Sequence, residues 1–146
     1  MRVAITGDDG FIAPHILEAL GDSAEILGED IIADDLMLAA KLASCNALVH
    51  LNGHPPDLTM DRSDHDVLRL MRNNAKKILK SVETHQGLHL VLIGSLRVHP
   101  DPRSNDSFYS SESHLAPRDM TAEGQLWVEE RALEHAMDTH PVTILR

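Results

Sequence analysis

Gly7, Gly10 and Ala13 stand at three-residue spacing, a G-x-x-G-x-x-A pattern directly behind the apolar run Val3-Ala4-Ile5. Residues of this kind act on phosphate through the backbone rather than through side chains. Gly7 permits a tight turn, Gly10 lets main-chain N–H groups approach a pyrophosphate, and the small Ala13 lets the following helix lie close on the strand. The N-terminus of that helix adds its own partial positive charge. Glu29 and Asp30 follow about twenty residues farther on, where a carboxylate accepts hydrogen bonds from ribose hydroxyls and repels a 2′-phosphate. The same pair also suits the polar end of a surface strand. Together the residues point to a dinucleotide, with NAD favoured over NADP. Asp8 and Asp9 place negative charge inside the turn, so the pattern does not by itself secure a bound cofactor.

Other reactive side chains form no comparable pattern. The ten histidines are scattered, with no His-x-x-x-His that a carboxylate joins on one helical face, so no metal site is expected. Cys45 is the only cysteine, which excludes an internal disulfide and reads as a small apolar side chain. Thirteen Lys and Arg against 23 Asp and Glu give a formal charge of −10, which argues against nucleic acid or an anionic membrane as partner. No run is apolar and long enough to span a bilayer, and no charged-then-apolar leader precedes the first strand, so a cytoplasmic protein is expected. At 146 residues the chain suits one domain, 1–146, with a real core.

Elements must hold the glycine turn in place. Residues 2–6 read as a buried strand and 13–20 as a helix. Residues 24–29 read as a second strand. Residues 31–36 follow with no room for an intervening helix, so 24–36 form either one strand and a loop or two strands. A short helix is expected over 36–44, an apolar strand over 47–51 and a loop at 54–57. The longest helical pattern covers 64–84, with Asp64 as its N-cap and Lys76, Lys77 and Lys80 on its other side, a basic face that could contact phosphate but reads first as a solvated one. Residues 88–93 form another buried strand, 101–117 a surface loop, 119–138 a last helix and 141–146 a last strand. This alternation predicts an α/β fold: a Rossmann-like, doubly wound parallel sheet of five or six strands, in three α/β/α layers.

The segment Thr6-Gly7-x-x-Gly10-Phe11-Ile12 resembles the fingerprint of the extended short-chain dehydrogenases/reductases, the NAD-dependent epimerase/dehydratase family that acts on nucleotide sugars. Ala47-Leu-Val-His-Leu-Asn-Gly53 is similar to that family's strand along the cofactor, Gly94 to Pro100 to its catalytic serine segment, and Pro141-Val-Thr-Ile-Leu-Arg146 to its final strand. The resemblance implies that Gly7, Gly10, Phe11, Ile12, Leu51, Asn52 and Gly53 line the cofactor, that Asp34 or Asp35 reads the adenine amino group, and that Ser95 is the catalytic hydroxyl. It places the family's Tyr-x-x-x-Lys pair at Thr121 and Gln125. Thr121 titrates far above neutral pH and lacks reach, and Gln125 carries no charge to lower a neighbour's pKa. The family's substrate domain is not expected within these residues.

Three readings follow. The first is a dinucleotide-binding domain that is catalytically degenerate and acts as a binding or regulatory module. The second is an active nucleotide-sugar epimerase or oxidoreductase using Ser95 with Tyr109 or His99 as a non-standard base. The third is an interaction module forming a homodimer through helices 64–84 and 119–138, which pair in the family's dimers, with Trp127 as anchor.

Overall fold

The computed structural model describes residues 1–7, 11–51, 63–100, 109–136 and 140–146, and of residue 64 the backbone only. Five parallel strands form one sheet in the order β2-β1-β3-β4-β5. They are β1 (Val3–Thr6), β2 (Ala24–Leu27), β3 (Ala47–Leu51), β4 (His89–Ile93) and β5 (Val142–Leu145). The helices are α1 (Ile12–Leu20), α2 (Glu29–Ala33), α3 (Asp35–Leu42), α4 (Asp64–Glu83) and α5 (Met120–Glu134). The expected α/β doubly wound sheet is present, with five strands.

The two faces of the sheet are covered unequally. Of the described helices, α1 alone packs on one face, where Ala13 meets Val3, Ile5, Val49 and Leu51. On the other face α2, α3, α4 and α5 bury Ile32, Leu38, Leu42, Ile78, Leu79, Val128 and Ala132 against Leu27, Leu48, Leu90 and Leu92. Each such leucine or isoleucine contributes roughly 1.5–3 kcal/mol by leaving water. Because β1, β3 and β4 lie between these layers, their residues are apolar almost without alternation, as parallel strands covered on both sides require.

Residues 24–36 depart from expectation. The strand ends at Leu27, and Glu29 and Asp30 open a five-residue helix rather than closing a strand. Residues 31–36 form no strand: Asp34 breaks the chain between two short helices and caps the second, its Oδ1 accepting from Leu36 N–H at 2.9 Å and Met37 N–H at 3.1 Å. β2 is therefore an edge of the sheet. Ser63, not Asp64, caps α4, accepting from Asp66 N–H at 3.3 Å. Asp119 is the cap of α5 rather than its first residue, accepting from Ala122 N–H at 2.9 Å. That hydrogen bond, with Arg97 alongside, holds the Asp119 carboxyl below the usual carboxylate range. Among the described residues no helix is long and apolar enough to cross a membrane.

Candidate dinucleotide site

The strand order reverses between β1 and β3, which makes the carboxyl ends of those two strands the crevice where an open α/β sheet takes ligands. Gly7 leaves β1 there with φ of 80°, a left-handed conformation that favours glycine. A Cβ on Gly7 would lie 2.1 Å from the Leu51 carbonyl oxygen at the end of β3. Only a bare backbone can pass so close. Ala13, fully buried, lets α1 approach the sheet, as its size predicted. Phe11 is 75% exposed and meets His15 edge to face at 5.9 Å, while Ile12 is half-buried against the α1 face of the sheet. Gly10, Asn52 and Gly53 lie outside the described residues, as do Asp8 and Asp9.

Beneath this turn lies a polar pair that spacing alone does not reveal. Thr6 and His50 face each other across β1 and β3, with Thr6 Oγ1 3.0 Å from His50 Nδ1 and both side chains buried. Burial lowers the His50 pKa to about 4, so the ring is neutral at physiological pH. In the sequence His50 sits inside an apolar strand and looks like any other scattered histidine.

The residues expected on the adenosine side are placed differently from one another. Glu29 and Asp30 are exposed in the first turn of α2, at the carboxyl end of β2. Asp34 is engaged as the α3 cap. Asp35 pairs with Lys80 at 3.0 Å, and that hydrogen-bonded ammonium lowers its pKa. Lys77 Nζ donates to the Ala33 carbonyl at 2.7 Å, so α4 secures both short helices.

A second corner forms where β4 ends. Ser95 is half-buried and extended, and its Oγ accepts from Arg97 N–H at 3.2 Å. Arg97 forms an ion pair with Asp119, and Ala116 N–H donates to Val98 O at 2.8 Å. These links set the first turn of α5 beside the Ser95 segment. On α5, Thr121 is half-buried and Gln125 buried, one turn apart on one face. One turn farther on comes Glu129, 1% exposed, whose Oε2 accepts from Arg146 Nε at 2.9 Å and Nη2 at 2.7 Å. A Cβ on Gly94 would stand 2.2 Å from Glu129 Oε1, so the glycine before Ser95 lets β4 lie against this carboxylate. Glu129 reads in the sequence as one of a charged run. Its four-residue spacing from Gln125 is the signal that places it on the inner face.

Tyr109 and His99 stack with ring centroids 4.7 Å apart. The Tyr109 hydroxyl donates to Pro100 O at 2.5 Å and accepts from Arg118 at 3.3 Å. His99 Nδ1–H donates to His114 O at 3.2 Å. Both side chains are thus engaged within the segment after β4. Among the described residues no three His, Cys, Asp or Glu side chains group as a metal site needs.

No protein-family model and no curated protein matches this sequence. Solved structures match throughout its length. An NAD-dependent NDP-hexosamine 5,6-dehydratase, TunA, of tunicamycin biosynthesis, matches with a TM-score of 0.73 at 18% identity, over 99% of this chain and 54% of that one. A short-chain dehydrogenase/reductase superfamily protein from Agrobacterium tumefaciens, with NAD bound, gives 0.75 at 18%, over 100% and 48%. UDP-N-acetylglucosamine 4-epimerase from Bacillus cereus gives 0.75 at 15%, over 100% and 55%. The fold is that of the NAD-dependent epimerases and dehydratases. The chain spans about half the length of each of these proteins.

Proposed function

We propose that this chain is an NAD-binding domain of the epimerase/dehydratase kind that performs no hydride transfer itself and serves as a binding or regulatory module. The observation that carries the reading is the close approach of Gly7 to the end of β3 at the switch point; the resemblance to the family, which would put its tyrosine and lysine at Thr121 and Gln125, supports the absence of hydride chemistry. Backbone N–H groups and a helix N-terminus would hold the pyrophosphate. Glu29 and Asp30, at the end of β2, would take the adenosine ribose and disfavour NADP. Gln125 can bond a ribose hydroxyl but supplies no charge. A nucleotide sugar would lie over Ser95.

The test is hydride transfer with UDP- and dTDP-sugars, read as NADH absorbance. The native chain is expected to give no turnover, and the double variant Thr121→Tyr, Gln125→Lys to gain it. Turnover by the native chain that Ser95→Ala abolishes would establish the active-enzyme reading instead. That reading needs another base, and Tyr109 and His99 are engaged with Pro100, Arg118 and His114. A second reading, a dimerising module without cofactor, draws on the half-exposed Trp127 between α4 and α5. Sedimentation of the native chain and Trp127→Ala, with and without NAD, separates it from the first.

A further inference from the structure

Trp127 gathers positive charge in an otherwise acidic chain. The Arg72 guanidinium stands 5.4 Å from the ring centroid, that of Arg131 5.6 Å, and the Lys76 ammonium 5.9 Å. Arg72, Lys76 and Lys80 recur every four residues and so form one ridge along α4. Arg131 comes one turn after Trp127 on α5. Each ring contact contributes about 0.5–1 kcal/mol at an exposed site. Three cations sharing one ring also repel one another, and an anion between them turns that repulsion into attraction.

The carboxylates nearby do not fill this role. Arg131 pairs with Glu134, Lys80 with Asp35, and Glu83 with His135. Arg72 and Lys76 have no carboxylate partner among the described residues, and Arg72 Nε is buried with no hydrogen-bond acceptor. Beside the ring runs an open groove of about 340 Å³, with Leu79 and Trp127 as its apolar surface, Lys76, Lys80 and Arg131 along it and the paired Glu83 and His135 also lining it, while Arg72 adjoins it over the Trp127 ring. It lies in the second halves of α4 and α5. In a parallel sheet these helix ends sit toward the edge where the strands begin, away from the Gly7 crevice.

We infer that the Trp127 groove binds a phosphate-bearing small molecule, its phosphate held by Arg72, Lys76 and Arg131 and its body lying along Trp127 and Leu79. Two guanidinium groups favour phosphate, whose oxygens match their paired N–H donors. This site is independent of the dinucleotide crevice. It also bears on self-association, because a two-fold pairing of α4–α5 faces would set each copy's cations toward the other's.

Trp127 is the only tryptophan, so its emission reports the site directly. The native chain is titrated with inorganic pyrophosphate and, separately, AMP, against chloride at equal ionic strength, with light scattering in parallel. A saturable change in emission is expected with at least one phosphate probe. Binding of both locates recognition in the phosphate, and binding of AMP alone shows that the organic part is also required. Lys76→Ala and the milder Arg72→Gln are each expected to weaken it about tenfold, while Lys41→Ala leaves it unchanged. Three results would overturn the assignment: a response no different from chloride, a response that both groove variants leave intact, or one that follows protein concentration with a doubling of mass. The last would assign the groove to a second copy.

Discussion

The crevice at Gly7 and the corner at Ser95 lie at the same end of one sheet and are built by different means. At Gly7 the decisive feature is the absence of a side chain, which lets one backbone pass 2.1 Å from where a Cβ would collide. At Ser95 a glycine again makes room, Gly94 beside Glu129, but the corner is held mainly by side-chain ion pairs: Arg97 to Asp119, and Arg146 to the buried Glu129. A backbone site retains its shape while surface residues change around it. At the second region the framework is α5 docked beside β4, and on the reading proposed above the two groups for hydride chemistry are replaced there by Thr121 and Gln125.

Substituting Gly7 breaks the first region most severely. Gly7→Ala forces a Cβ onto the Leu51 carbonyl with φ at 80°, and we expect a loss of about 3 kcal/mol or more in urea unfolding. In the second region Arg146→Ala leaves Glu129 buried and unpaired, and should cost about 3 kcal/mol by the same measurement. If Arg146→Ala proved neutral, the corner would owe little to that ion pair.

The two regions also differ in their response to acid. His50 prefers its neutral form in the folded chain, with a pKa lowered from 6.5 to about 4. Its contribution is intact above pH 6.5. As pH falls from there toward 4, the unfolded chain takes up the proton first, and stability declines by up to about 1.4 kcal/mol per pH unit. Below 4 this decline levels off. His50→Gln should flatten that limb in unfolding followed across pH, and an unchanged slope would place the acid sensitivity elsewhere. The smallest effect belongs to the α5 cap. Asp119→Ala removes the bond to Ala122 N–H and the pairing with Arg97, for a loss of about 1 kcal/mol. The Asp119 carboxyl is held low, so its contribution stands above pH 4 and fades as pH falls through its depressed pKa.

Much of this was legible in the sequence because it rests on local pattern. The strands at 47–51 and 88–93 are apolar runs, and the helix at 64–84 has a wide apolar face, so their type and order could be read directly. The segment 24–36 resisted because its hydrophobic spacing suits strand and helix alike. There Asp34, by capping a helix, decides the outcome. The lysines of α4 looked like one solvated face, yet they divide: Lys77 and Lys80 secure α2 and α3, and Lys76 turns to Trp127. Thr6 with His50 and Glu129 with Arg146 join residues 44 and 17 positions apart, and only the packed sheet brings them together.

The central claim is that the crevice still takes a dinucleotide, and thermal unfolding with added NAD tests it most directly. Ligand that binds only the folded chain stabilises it by about 2.7 kcal/mol at a hundred times Kd, roughly 5–10 °C in Tm for a chain of this size. We predict such a rise with NAD, smaller with NADP at equal concentration. No shift at millimolar NAD would contradict the account.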